Sequence, residues 1–538
     1  MQPPLRTSLD ASTDVWTFPG EREATHLLVR GSDAILIDCH RADFAGEWAG
    51  RLPAPALVLH THVAPEHCRE GASFPAARIL VHEPDAVLAF EPEVVARTLR
   101  EQTADLDQWG TIFGLEPFGI AGCQTAFPPS TPLPRGGTFR VGETIRAGAL
   151  ALEVIDLAFH GRHAVGFVVR GGAGEPLGVF TGDLLLKGAY LVDAVSCMEN
   201  YVHDRYARLP ALLERLSGLG PVFPATGLPI MEPQEVAWTL QTLAERMRRF
   251  LATRVPAPSQ PRHRARREVG RFREAMPGVF HLEQGGNVIV LIDAAGNGLL
   301  VDPGPCDYDN PERERDFLRD LQALETGAGL RRVELVLITH YHGDHVDMTH
   351  LVRQRYPGCR VATWGVVADV LEEPAAYPCS AKLPWYGLGL ERVPVDIRLP
   401  LGCGFQWQGH AIEVIHLPGH AYAHCGFLMS FGGRSLAITG DTVQISTAPD
   451  TLNLVITNHA APTDAEGNAG AYRQLAARHV DLNLGGHGSW FEDCGRLYRE
   501  SLARIEHAQS VLAELFEPGR MREAYLMRSF PWGGAGRA

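Results

Sequence analysis

Thr339-His340-Tyr341-His342-Gly343-Asp344-His345 follows directly on the mostly apolar run Val333 to Ile338. Three imidazoles and a carboxylate within one short loop form a borderline-soft nitrogen and oxygen donor set, which suits zinc and also iron or manganese. His340 and His342 share one face of an extended chain, whereas His345 falls on the other, so a turn at Gly343 is needed to gather all four. The run before the motif reads as a strand, and loops at strand ends are where functional groups collect.

Working outward, further donors follow other apolar runs. Pro418-Gly419-His420 presents another imidazole behind a tight turn, Gly440-Asp441 ends the run LAITGD, and Gly485-Gly486-His487-Gly488 ends a fourth. Donors placed at successive strand ends suit a two-metal site, in which one carboxylate bridges ions about 3.5–4 Å apart. Strand runs alternate with helical patterns over Asn310 to Leu324, Asn468 to Ala477 and Arg496 to Leu515, which predicts a layered α/β architecture. Asn310 is expected as N-cap with Pro311 at the first helical position.

The H-x-H-x-D-H run, the following PGH, the GD and the late GHG resemble, in this order, the metallo-β-lactamase superfamily. The resemblance covers roughly Met276 to Leu515 and implies an αββα sandwich with the site along one edge. It implies His340, His342 and His420 on a first divalent ion, Asp344, His345 and His487 on a second, and Asp441 as the bridge. Zinc is the expected metal, with iron or manganese as alternatives. Asp344 is expected to orient the attacking hydroxide as well as bind the second ion, and Tyr341, the other catalytic candidate, is expected either as a simple spacer, the favoured reading, or as a donor to a developing oxyanion. His416 and His424 flank the PGH and are expected to support or pack, not to ligate.

The same pattern occurs earlier in the chain. THLLVRGSDAILID ending at Asp38 matches NVIVLIDAAGNGLLVD ending at Asp302, and ALVLHTHVAPEH matches ELVLITHYHGDH. LEVIDLAFHGRHAVGF aligns without a gap on IEVIHLPGHAYAHCGF, and GVFTGD ending at Asp183 matches LAITGD. The fold expected is therefore α/β with two tandem αββα sandwiches: a degenerate copy at 1–254, an Arg/Pro-rich linker at 255–275 and a catalytic copy at 276–538. The first copy keeps His62, His67, His160 and Asp183, but has Ala64 for the second histidine, Glu66 for the aspartate and Thr226 where the other copy has His487. Each metal position there is short of one imidazole. A closed two-metal site is not expected, one weakly held ion on His62, His160 and Asp183 being the alternative. A degenerate first copy beside an intact second one also resembles the long form of transfer-RNA 3′-processing nuclease.

Composition narrows the rest. The chain has 538 residues, 45% hydrophobic and 21% charged, with a net charge of −14. These are globular values, and the acidic balance argues against nucleic acid or an anionic membrane surface as partner. No secretory pattern opens the sequence and no apolar run reaches about 20 residues, so a cytoplasmic protein is expected. The ten cysteines form no C-x-x-C pair. The arginines from Arg262 to Arg273 are expected to be solvated or paired with acidic residues, an anion-binding arm being the alternative.

Two loops are candidates for choosing the substrate: Tyr377 to Val393 with Trp385, Tyr386 and Leu388, and Glu101 to Gly137 with Trp109, Phe113, Phe118 and Phe127. The function expected is a dinuclear metal-dependent hydrolase of a small acyl substrate (thioester, lactone, ester or amide). An RNA phosphodiesterase and an iron-dependent oxygenase are the alternatives. Nothing in the sequence speaks to oligomeric state.

Overall fold

The computed structural model describes residues 3–20, 23–39, 50–63, 68, 73–91, 133–134, 136–159, 163–192, 205–253, 262–284, 286–304, 310–373, 392–421, 423–443 and 467–517. The chain divides into two compact units. One comprises Met1–Arg100, Ile112–Ala252 and Ser510–Ala524, the other Glu101–Thr111, Thr253–Gln509 and Tyr525–Ala538.

The first unit has a seven-stranded sheet of β1 (Leu5–Ser8), β2 (Thr13–Pro19), β3 (Ala24–Arg30), β4 (Asp33–Ile37), β5 (Leu57–Leu59), β6 (Arg78–His82) and β7 (Gly137–Phe139), in that order. Its second sheet holds β8 (Thr144–Ala147), β9 (Leu150–Asp156), β10 (Val165–Arg170), β11 (Pro176–Gly182) and β12 (Val222–Pro224). Helices α1 (Ala86–Phe90), α2 (Arg205–Arg215) and α3 (Pro233–Ala252) belong to this unit.

The second unit repeats the plan with one more strand. Its large sheet runs β13 (Glu268–Val269), β14 (Phe272–Met276), β15 (Val279–Leu282), β16 (Val288–Ile292), β17 (Asn297–Val301), β18 (Arg332–Ile338), β19 (Arg360–Trp364) and β20 (Ile397–Leu399). The small sheet runs β21 (Gly404–Trp407), β22 (His410–His416), β23 (Cys425–Phe431), β24 (Arg434–Gly440) and β25 (Leu482–Gly485). In both units an antiparallel meander gives way to parallel strands after the hairpin ending in Asp38 or Asp302, and the small sheet ends on one parallel pair. The register shifts between Phe180 and Gly182 and, equivalently, between Ile438 and Gly440.

Period-two alternation sorts the second unit's core. On β16, Val288, Val290 and Ile292 face helices α4 (Arg313–Gly327), α6 (Thr349–Arg355) and α7 (Gly365–Glu372), preceded in the chain by the single turn α5 (Gly343–Val346) of the motif loop. Ile289 and Leu291 face the small sheet and meet Val414, Phe427 and Ile438. Beyond that sheet, Ile415 and Ala437 pack under α8 (Gly467–Ala476) and α9 (Cys494–Ala513). Burial on both faces is why these strands read as unbroken apolar runs, each fully buried Val, Leu, Ile or Phe contributing about 1.5–3 kcal/mol. The result is an αββα sandwich.

Three expectations change. The segment expected as linker is partly sheet, since Glu268–Val269 and Phe272–Met276 pair as the first hairpin of the second unit. Four of its six arginines make ion pairs, Arg262 and Arg273 with Glu283, Arg267 with Glu274 and Arg271 with Asp320. Residues 510–517, expected in the C-terminal copy, cluster with the first unit, where Leu191 N–H donates to the Leu515 carbonyl (2.7 Å) and Arg249 pairs with Glu514. Asn310 does not cap a helix: its Oδ1 accepts the Glu312 N–H (2.9 Å) in a turn, and α4 starts at Arg313. Among the described residues no helix is long and apolar enough to cross a membrane.

Candidate metal centre

The second unit's donors meet at the carboxyl ends of its strands. β17 delivers Asp302 just past its end, β18 delivers Thr339 to His345, the turn after β22 delivers His420, β24 delivers Asp441 and β25 delivers His487. Asp302 sits in the left-handed region (φ 50°). From there its Oδ1 accepts the Thr339 N–H (2.8 Å), and its Oδ2 accepts the Thr339 hydroxyl (2.7 Å) and His345 Nδ1–H (3.2 Å). With its proton given to Asp302, Thr339 Oγ1 accepts from His340 Nδ1–H (3.0 Å). Both histidines thus carry the proton on Nδ1 and turn Nε2 toward the centre, an assignment that follows from the network.

Two donor groups result, each with its ligand atoms within 4.8 Å of one another: His340, His342, His420 and Asp441, and Asp344, His345, Asp441 and His487. Asp441 belongs to both. His420 Nε2 lies 3.0 Å from His342 Nδ1, and His487 Nε2 lies 3.2 Å from Asp344 Oδ2 and 3.0 Å from Asp441 Oδ2. The six other side chains are buried, while the His487 side chain is 33% exposed.

Close approach forbids side chains at two glycines here. A Cβ on Gly440 (φ 47°) would stand 2.6 Å from His424 Nε2 and Thr339 Oγ1, and one on Gly486 would stand 2.0 Å from Asp441 Oδ1.

The orphaned atoms test the fit to a cation. His340 Nε2, His345 Nε2 and Asp441 Oδ1 are buried and make no hydrogen bond, although His345 Nε2 and Asp441 Oδ1 are 3.2 Å apart. Buried polar atoms that converge without bonding one another, four donors to a group, fit divalent metal.

Charges are balanced within the metal-free centre. Burial opposes the carboxylates of Asp344 and Asp441, but His345 and His487 outweigh it and hold both well below the usual carboxylate range. Burial likewise opposes protonation of His345 and His487, and Asp441 with Asp344 overcomes it, raising His345 well above its ordinary value and His487 to about 10. His340 goes the other way, lowered by burial and then by the neighbouring imidazoles.

The Tyr341 side chain is fully buried in the apolar cluster with Val346, Leu351 and Val367 and meets His342 edge to face (centroids 5.2 Å), a placement that favours the spacer over the oxyanion donor. His424 supports the centre: its Nε2 accepts the Asp441 N–H (3.2 Å) and its Nδ1 lies 3.2 Å from Thr442 Oγ1. His416 packs at a tilt against Trp364 (centroids 5.2 Å, 58° between the rings), outside both groups. Sequence reading missed Asp302 and Thr339 as supports, yet the signal was there, since the matched hairpins end at Asp38 and Asp302.

In the first unit, Asp38 (φ 49°) accepts the Thr61 N–H (2.9 Å) and hydroxyl (2.8 Å) just as Asp302 does for Thr339. Asp183, however, accepts the Thr226 hydroxyl (2.8 Å). Ala64, Glu66, His67 and His160 lie outside the described residues, as do 377–391 of the first candidate loop and 101–132 of the second. Among the described residues, every group of three or more donors close enough to hold an ion lies in the second unit.

Known proteins resemble part of this chain. The family model "Metallo-beta-lactamase superfamily" matches residues 282–487. A hydroxyacylglutathione hydrolase of Aeromonas hydrophila is 28% identical over 159 residues, 29% of this chain and 46% of that protein. One of Cereibacter sphaeroides is 31% identical over 112 residues, 21% of this chain and 34% of that protein. The chain thus spans less than half the length of these curated relatives. Among solved structures, a metallo-beta-lactamase of Cronobacter sakazakii is 19% identical with a TM-score of 0.35, covering 44% of this chain and 95% of its own. The native FEZ-1 metallo-beta-lactamase of Legionella gormanii is 16% identical with a TM-score of 0.35, covering 48% and 98%. With all seven strand-end donors inside the matched span, residues 282–487 are a metallo-beta-lactamase superfamily domain.

Proposed function

We propose that this chain is a dinuclear metal-dependent hydrolase of a small acyl substrate, a thioester, lactone, ester or amide, with its chemistry in the second unit. The observation that carries the reading is the pair of four-donor groups sharing Asp441. His340, His342 and His420 would hold one ion, Asp344, His345 and His487 the other, with Asp441 between them. Two divalent ions bound there, zinc being the metal expected of this donor set, would supply Lewis acidity and a water acidified toward neutrality.

The chain's own residues do the rest. Asp344 and Asp441, held ionised by His345 and His487, offer carboxylate oxygens that orient a water for attack. Asp302, Thr339 and His424 keep the ligand atoms aimed without touching a substrate. The hydroxyacylglutathione hydrolases among the relatives act, by their names, on an acyl thioester, which favours that class first. Four arginines between Arg262 and Arg273 are paired with acidic residues, which speaks against the RNA reading. The first unit is read as a degenerate copy serving as scaffold, with Asp183 satisfied by Thr226.

Elemental analysis of the purified full chain, paired with acyl thioesters, lactones, a chromogenic β-lactam and bis-p-nitrophenyl phosphate, tests the proposal. About two zinc per chain with acyl turnover is expected. Iron with oxygen consumption, or turnover confined to the phosphodiester, would overturn it.

A further inference from the structure

Six of the seven donors are packed into the core, but the ring of His487 is one-third exposed, so its place depends on the loop that carries it. That loop is gripped from two sides. Asn287, buried at the start of β16, spends all three of its N–H groups on it. Its backbone N–H donates to the Gly486 carbonyl (2.7 Å), and its Nδ2 donates to those of Gly485 (2.9 Å) and Gly488 (2.8 Å). These carbonyls flank His487 on both sides. Just beyond, the Ser489 hydroxyl donates to Glu283 Oε1 (2.7 Å), Arg273 binds the same oxygen, and the Arg273 guanidinium lies 4.5 Å over the Trp490 ring.

We infer that Asn287 is the positioning residue of the second ion: it holds the 485–488 backbone so that His487 reaches Asp344 and Asp441, with Ser489, Glu283 and Arg273 as the outer half of the grip. The inference rests on the proposed dinuclear reading. A side-chain amide suits this work because it offers two N–H donors in a fixed plane and the loop presents carbonyls. A carboxylate of the same shape would point lone pairs at those carbonyls.

The test is stepwise zinc titration of the metal-free full chain against a chromophoric chelator, comparing wild type with Asn287→Ala, Asn287→Asp, Ser489→Ala and, as reference, His487→Ala. In both Asn287 variants one zinc equivalent should weaken on the order of 10- to 100-fold, the cost typical of an outer partner. It should be the equivalent that His487→Ala weakens, while the other stays within about twofold. Ser489→Ala, milder in the fold, should weaken the same equivalent by about 2- to 10-fold for one hydrogen bond. Unchanged titrations in the Asn287 variants would overturn the inference. So would both equivalents falling together with the melting temperature, the mark of a merely structural residue. Failure of the functional reading looks different: wild type binds two zinc and turns over no acyl substrate.

Discussion

Asp302→Asn isolates one bond in the support of the centre. Asparagine tolerates the left-handed backbone at this position (φ 50°), so the substitution adds little strain. Its Oδ1 still accepts the Thr339 N–H, but its amide nitrogen replaces the oxygen that took both the Thr339 hydroxyl and His345 Nδ1–H. The hydroxyl can rotate to accept, whereas the imidazole N–H loses its partner inside the protein. One hydrogen bond to a charged group is worth about 1.5–3 kcal/mol, or roughly 10- to 150-fold in an equilibrium constant. The cost of losing an outer partner of a metal ligand, about 10- to 100-fold in affinity, falls in the same range.

Zinc titration of chelator-treated protein should therefore show the ion at His345 weakened by one to two orders of magnitude. Asp38→Asn is the matched control, because Asp38 holds Thr61 by the same two bonds in the other unit. It should lower stability and leave zinc binding alone. Wild-type affinity in Asp302→Asn, or an equal loss in Asp38→Asn, would refute the reasoning.

Other outcomes follow from the same geometry. Since His487 is raised to about 10 and His345 also lies above its ordinary value, both are charged in the metal-free centre at neutral pH, and zinc loading should release about two protons, readable in weakly buffered solution. The sign for stability follows: charged His487 stabilises the metal-free fold fully below about pH 6.5, and this contribution is lost as pH rises through about 10, so melting temperature with chelator present should fall over that window. His342→Ala should abolish acyl turnover, while His62→Ala should leave it within about twofold; the reverse pattern would move the active centre to the first unit. Tyr341→Phe should keep kcat within about twofold, against the roughly 10²–10³-fold loss of a true oxyanion donor.

The donor set was legible because each donor directly follows an apolar strand, so His340 through His345, His420, Asp441 and His487 stand beside runs that announce themselves. The repeated strand order was legible for the same reason, matched strand endings at Asp38 and Asp302 preserving order and spacing. Tertiary structure decided what depends on contacts between distant segments. Asp302 supports His345 across 43 positions, and Asn287 grips Gly485 and Gly488 across 198 and 201. No local pattern encodes a hydrogen bond between two strand ends. The direction of Tyr341 also needed the fold, because the turn at Gly343 that gathers the histidines leaves the residue between them facing the core. The arginines after Pro261 look like a basic arm in sequence, and only the fold pairs four of them, Arg262, Arg267, Arg271 and Arg273, with Glu274, Glu283 and Asp320.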